Sequence, residues 1–296
     1  MVLKFTGSFT QQESIPEKAI DAAIAVMRHG RLHRYNVAPG ETSETVLLEQ
    51  EFANLTGARY CLAVASGGYA LTAALRASGL KQNDIVLTNA FTLAPVPGAI
   101  QGAGGCPVFV EITKDLVLDL DDLKAKIEST NAKFLMLSHM RGHIVDMEAL
   151  LKITDEAGIK VIEDCAHTMG ANWNGITSGR SGIVGCYSTQ TFKHINSGEG
   201  GFLITDDVEI MAKATMLSGS YMLYESHLAG APIEAFENIR LDTPNCSGRM
   251  DNLRAAILRP QLENLSIQAN RWNKRYRKFE NGLNQVEDIR LISRPK

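Results

Sequence analysis

Tyr187-Ser188-Thr189-Gln190-Thr191-Phe192-Lys193-His194, followed by Gly198-Glu199-Gly200-Gly201, is the stretch on which the reading of this chain turns. The residues leading into it, 183–188, are composed like a buried strand, and 201–205 read as another. A lysine just past a buried strand and ahead of a glycine turn can be held away from bulk water. Desolvation or nearby positive charge then makes its amine less basic and a competent Schiff-base nucleophile. A lone lysine is ordinarily solvated surface. What surrounds Lys193 in the fold therefore decides its meaning.

Outward from this stretch, apolar β-type runs alternate with amphipathic helical stretches. The spacing predicts helices from Ser14-Ile15-Pro16-Glu17 to residue 30, and over 43–56, 68–78, 95–103, 120–128, 146–157 and 207–217. Strands are predicted over 60–65, 84–88, 108–112, 133–138, 160–163, 183–188 and 201–205. Cys61-Leu62-Ala63-Val64-Ala65 and Phe134-Leu135-Met136-Leu137 are apolar without alternation, as strands covered on both faces are. The expected fold is α/β, with a mostly parallel central sheet and helices on both faces. Irregular sequence over 219–244 precedes a long charged helical stretch over 249–282, and 289–296 reads as an opening strand. The division expected is a large α/β domain over 1–245 and a segment, 246–296, leading into an incomplete C-terminal domain.

Composition sets the outer bounds. The chain has 296 residues, 45% hydrophobic and 21% charged, which excludes collagen-like, coiled-coil and disordered classes. Thirty basic against 33 acidic residues give a net charge of −3 without a block of either sign, so neither nucleic acid nor a membrane is expected as partner. Met1–Ser8 lacks the basic-then-apolar order of a secretion signal. The uncharged stretch Tyr60 to Leu75 is interrupted by Ser66-Gly67-Gly68 and too short to span a bilayer. Five cysteines without a CxxC pair suggest reduced thiols, no metal site and a cytoplasmic setting.

In parallel α/β sheets, ligands sit beyond the carboxyl ends of the strands. There the sequence places Ser66-Gly67-Gly68, Asn89-Ala90-Phe91-Thr92, His139, Asp164 and Ser188. Ser66-Gly67-Gly68 joins a strand to a helix, where small residues serve either a tight turn or the approach of backbone N–H groups to a phosphate. Asp164, in Val161-Ile162-Glu163-Asp164-Cys165-Ala166-His167, ends a buried strand. There a carboxylate is either a cap or the partner of a cation. Pyridoxal phosphate needs this set: a lysine, an acid opposite the pyridinium nitrogen, and a helix N-terminus for the phosphate.

At this point the chain resembles the nucleotide-sugar aminotransferases of the DegT/DnrJ/StrS type, pyridoxal-phosphate enzymes of fold type I. The resemblance is carried in order by Ser66-Gly67-Gly68, His139-Met140-Arg141-Gly142 with Asp146-Met147, and Glu163-Asp164-Cys165-Ala166-His167 with Gly170-Ala171. It continues through Ser188 to Lys193, Gly198-Glu199-Gly200-Gly201 and Ser247-Gly248-Arg249-Met250. It implies that Lys193 forms the Schiff base and shuttles a proton, and that Asp164 pairs with the pyridine nitrogen. Gly67, Gly68 and Ser188 would hold the phosphate. It further implies a keto-sugar substrate, usually nucleotide-linked, glutamate or glutamine as amino donor, and a homodimer with a shared active site.

Four positions depart from the family pattern. Gly68 stands for a threonine, and His167 for a glutamine near the cofactor's phenolic oxygen. Leu93, with Phe91 nearby, stands for a stacking aromatic, and Ser247 for an asparagine reaching from the partner subunit. Two alternatives stay open on sequence grounds. One is a deoxysugar dehydratase of the same family, which carries histidine in place of the lysine; here His194 adjoins Lys193. The other is a catalytically silent cofactor-binding or regulatory subunit. The family continues into a small C-terminal domain near whose start this sequence stops, so a truncated chain is expected.

Overall fold

A computed structural model describes residues 4, 6–8 and 12–292 of the chain. Parts of the Met1–Ser8 reading and residues 293–296 of the final strand reading therefore lie outside the described residues, and 289–292 form no strand. The strands are β1 (Tyr60–Val64), β2 (Ile85–Asn89), β3 (Cys106–Val110), β4 (Phe134–Ser138) and β5 (Lys160–Asp164). A small hairpin, β6 (Asn172–Trp173) and β7 (Ile176–Thr177), precedes β8 (Val184–Ser188) and β9 (Gly201–Thr205). The helices are α1 (Glu17–His29), α2 (Glu44–Thr56), α3 (Gly67–Ala77), α4 (Pro95–Ala103) and α5 (Leu120–Ser129). They continue with α6 (Met147–Glu156), α7 (Val208–Ser218), α8 (Asn252–Glu263) and α9 (Leu265–Leu283).

Seven strands form one sheet in the order β1-β9-β8-β5-β4-β2-β3. β2, β3, β4, β5 and β8 pair in parallel, and β9 runs against both β1 and β8. The carboxyl ends of β1, β2, β4, β5 and β8 consequently share one edge. Alternation within the apolar runs feeds both faces. Tyr60, Leu62 and Val64 of β1 join α3, α4 and α7 in one cluster, whereas Cys61 and Ala63 join Leu48 and Phe52 of α2 and Ala255 and Leu258 of α8. Leu87, Leu135 and Val161 pack with Leu123 of α5 and Leu150 of α6. The α/β architecture with two helical layers is as the sequence predicts.

Two details differ. β3 starts at Cys106, two residues before the predicted 108, because Cys106 N–H donates to Asp84 O and sets the register with β2. Pro107 is admitted there because β3 is an edge strand. The long C-terminal helix is two, with Asn264 at the joint and Pro260 inside α8. Past residue 246 the chain stays tied to the sheet and its helices. Cys246 N–H donates to Leu217 O, Ala65 N–H donates to Gly248 O, Met250 is fully buried, and α8 packs on α1 and α2.

A buried ion pair ties the N-terminal loop to this body. Arg34 and Glu49 are fully buried and joined by two bonds of 2.9 and 2.8 Å. Glu49 also accepts the N–H of Ala63 in β1. Burial alone would raise the Glu49 carboxyl, but Arg34 and His227 outweigh it and hold the group at about 2.

Candidate active site

Each residue at the shared edge is placed by its own local rule. Ser66 caps α3, its Oγ accepting from Tyr69 N–H at 3.0 Å. The amides of Gly67 and Gly68 belong to the first turn of that helix, where backbone donors have no partner inside the helix and the dipole favours an anion. Gly67 is required sterically. A Cβ there would lie 2.8 Å from Ser188 Cβ, so α3 reaches β8 only because the side chain is absent. At Gly68 the nearest atom to such a Cβ is Ser66 Oγ at 3.9 Å, so that position is open.

Asp164 ends β5 in register with Ser138 of β4. Its Oδ2 accepts from Ser138 Oγ at 2.8 Å and its Oδ1 from Ala166 N–H at 3.1 Å. Among the described residues it has no cation within ion-pairing distance. A buried carboxylate so oriented, yet without a cation, fits a protonated ring nitrogen. Asn89, at the end of β2, holds Ser138 by accepting its N–H and donating to its C=O.

Lys193 lies on the loop between β8 and β9. Thr189 N–H donates to Gly200 O, Lys193 N–H to Gln190 O, and Gln261 of α8 clamps Asn196 by bonds to its N–H and C=O. Gly200, with φ of 156°, leaves no room for a Cβ, which would meet Thr189 Oγ1. Lys193 Nζ lies 2.8 Å from His167 Nε2. Burial pushes the amine down; the Asp164 carboxylate opposes this and the Arg141 charge adds to it. Burial, assisted by the charges of Lys193 and Arg141, takes His167 down to about 4.

Gly67, Gly68, Leu93, Asp164, His167, Ser188 and Lys193 line one cavity of about 560 Å³, with Ser66, Pro95, Met140 and Gln190 among the rest of its wall. Phe91 does not reach that wall: its ring packs against His143 at 6.2 Å. Leu93 and Pro95 supply apolar surface to that wall. Ser247 is also outside the cavity of its own chain, exposed, with φ of 50° and bonded to Asn245. His194 does not line this cavity. It lines the neighbouring clefts beside Trp272, 5.8 Å between rings.

Sequence reasoning missed Ser138, Gln190 and Gln261. Ser138 was legible as a hydroxyl closing the apolar run 134–137, and it is the register partner of Asp164. Gln261 carries no signal in a helix of ordinary composition. His139, Glu163 and Cys165 form a buried group with ligand atoms within 4.8 Å of one another. Hydrogen bonds occupy its carboxylate: Glu163 accepts from His139 Nε2 and from the N–H groups of Gly179, Ser181 and Gly182.

An amine, an oriented carboxylate and a helix N-terminus facing one cavity are the donor set of a pyridoxal-phosphate enzyme of fold type I. The chain belongs to the DegT/DnrJ/EryC1/StrS aminotransferase family, whose model matches residues 14–296. It is 32% identical over 235 residues to the pleiotropic regulatory protein of Geobacillus stearothermophilus, covering 78% of this chain and 58% of that one. It is 30% identical over 223 residues to a UDP-N-acetyl-3-dehydro-alpha-D-glucosamine 3-aminotransferase of Acidithiobacillus ferrooxidans, covering 74% and 56%. The crystal structure of S. venezuelae DesV in complex with a ketimine intermediate superposes with a TM-score of 0.80 at 27% identity, over 95% of this chain and 70% of that one. The chain thus spans less than two thirds of the length of these curated relatives. Pyridoxal 5′-phosphate is the family's cofactor.

Proposed function

We propose that this chain carries the cofactor-binding body of an aminotransferase that converts a keto sugar, nucleotide-linked, to an amino sugar with glutamate or glutamine as donor. The observation that carries this is one cavity faced by Lys193 Nζ, the Asp164 carboxylate and the Gly67–Gly68 turn. When bound, pyridoxal phosphate supplies an electrophilic carbon and an electron sink. Gly67 and Gly68 bind the phosphate through backbone N–H groups, and the Ser188 hydroxyl donates a further bond. Asp164, oriented by Ser138 and Ala166, keeps a proton on the ring nitrogen. The Lys193 amine would hold the group covalently and, when free, would take up and return the proton of the substrate carbon. Leu93, Pro95 and Met140 exclude water from the ring.

The dehydratase alternative would place a histidine where Lys193 stands; of the two neighbours only Lys193, and not His194, lines the cavity with Asp164 and the Gly67–Gly68 turn, which favours amine chemistry. The regulatory alternative draws support from the name of the Geobacillus relative. A homodimer is part of the proposal, supported by the match of Ser247-Gly248-Arg249-Met250 to an interface segment of the family and by exposed Tyr221, Met222, Leu223 and Leu228. A cytoplasmic location is part of it too. Among the described residues no helix is long and apolar enough to cross a membrane.

The test is the absorbance of the purified, cofactor-saturated protein before and after adding glutamate or glutamine, with borohydride reduction and peptide mapping. Amino-transfer activity predicts conversion to pyridoxamine phosphate and a reduced adduct on the Lys193 peptide. An adduct elsewhere, or none, overturns the assignment. An adduct on Lys193 without conversion by either donor favours the regulatory reading.

A further inference from the structure

Both ring nitrogens of His167 are engaged, and the two contacts together fix where its proton sits. The backbone N–H of Arg141 donates to Nδ1 over 3.1 Å. A nitrogen that accepts through its lone pair carries no proton, so in a neutral imidazole the proton is on Nε2. Nε2–H then points at Lys193 Nζ, 2.8 Å away. That bond forms only if Nζ offers a lone pair. An ammonium would set N–H against N–H.

We propose that His167, its tautomer locked by the Arg141 amide, is a positioning residue that holds Lys193 as the unprotonated amine inside the cavity. The lock rests on a braced turn. Arg141 has φ of 55°, a left-handed conformation that is unfavourable for a non-glycine residue. It follows His139, whose ring is bonded to buried Glu163 at 2.9 Å and whose N–H donates to Asp164 O at 3.1 Å. Glu163 in turn grips the N–H groups of Gly179, Ser181 and Gly182. The amide that sets the His167 tautomer is therefore anchored to the ends of β4 and β5.

The charged groups around Lys193 do not all pull one way. Asp164, from β5, favours the ammonium; burial and the Arg141 guanidinium favour the amine, and the net direction is downward. His194, on the same loop, is itself pushed down to about 4, chiefly by burial, and adds no charge near neutral pH. The bond from His167 Nε2–H acts in the same downward direction. The inference deepens the reading of Lys193 as the attacking amine and rests on that reading for its use. Its test measures the amine itself.

Competitive acetylation of the full chain, stripped of cofactor, with trace acetic anhydride across about pH 6 to 11 reads the titration of each lysine after peptide mapping. Lys81 and Lys278, both exposed, serve as references. Lys193 is expected to titrate below them. His167→Leu should move it up by about one unit, roughly tenfold less free amine near pH 8. His167→Gln should act in the same direction, because its amide can turn a carbonyl toward an ammonium. Nitrogen-15 NMR of histidine-labelled parent protein, with His167→Gln to assign the signal, needs no stable leucine variant and should show His167 protonated on Nε2 alone. Lys193 titrating with the references, no shift on His167→Leu, or a proton on Nδ1 overturns the proposal. Failure to form a Lys193 adduct with pyridoxal phosphate would instead strike the proposed function and leave this result standing.

Discussion

Gly67→Ala tests the close approach on which the phosphate turn depends. The new Cβ would stand 2.8 Å from Ser188 Cβ and 3.3 Å from both Ser188 Cα and Oγ. Carbon atoms rest at roughly 3.5–4.0 Å, so about an ångström must be found. The obstruction is Cβ and backbone of a central strand, which no rotamer change can move. Overpacking of this kind costs about 1–3 kcal/mol, and the helical preference of alanine over glycine offsets roughly 0.5–1 kcal/mol of it. A net loss of about 1–2 kcal/mol corresponds to a fall in Tm of roughly 2–8 °C for a domain of this size. Displacing Ser188 also withdraws a phosphate donor, so cofactor affinity should drop by about tenfold, one charge-assisted bond. The assay is thermal unfolding with and without pyridoxal phosphate, together with cofactor titration. Gly68→Ala is the internal control, since its Cβ meets only Ser66 Oγ at 3.9 Å. It should melt with the parent or slightly above. Gly67→Ala melting with the parent, or Gly68→Ala falling as far, would refute the steric argument.

Asp164→Asn should remain folded and lose most turnover, because an amide cannot keep the ring nitrogen protonated; parental activity would reduce Asp164 to a strand cap. Lys193→Ala should abolish the glutamate- or glutamine-dependent spectral change, whereas His194→Ala, beside Trp272 and outside the cavity, should leave it largely intact; the reverse pattern transfers the role to His194. Glu49→Gln leaves Arg34 buried without its counter-charge and should cost about 3 kcal/mol at neutral pH, read by urea unfolding. Because the folded Glu49 is held at about 2 against an ordinary 4.5, its contribution is complete above pH 4.5 and lost as pH falls toward 2. Parent and variant stabilities should therefore converge across that window, and a constant gap would contradict the linkage.

The sequence by itself determined the order of β–α units, the two-sided burial of the strands and the residues at their carboxyl ends. These follow from local pattern: unbroken apolar runs such as 134–137, caps such as Ser43 and Asp146, and glycine stops at Gly30 and Gly57. Lys193, Asp164 and the Gly67–Gly68 turn were legible because each lies next to a strand end that the pattern marks. Only the tertiary structure decided the strand order, with β9 inserted between β1 and β8, since pairing depends on contacts between residues far apart in sequence. It alone placed Lys193, and not the adjacent His194, in the wall of the cavity with Asp164, on the loop that Gln261 holds. It alone distinguished Gly67, which a side chain would drive into Ser188, from Gly68, which has room. The state of His167 belongs to the same class. A tautomer is set by the partners of both ring nitrogens, and here these are Arg141 and Lys193, each 26 residues away in opposite directions along the chain.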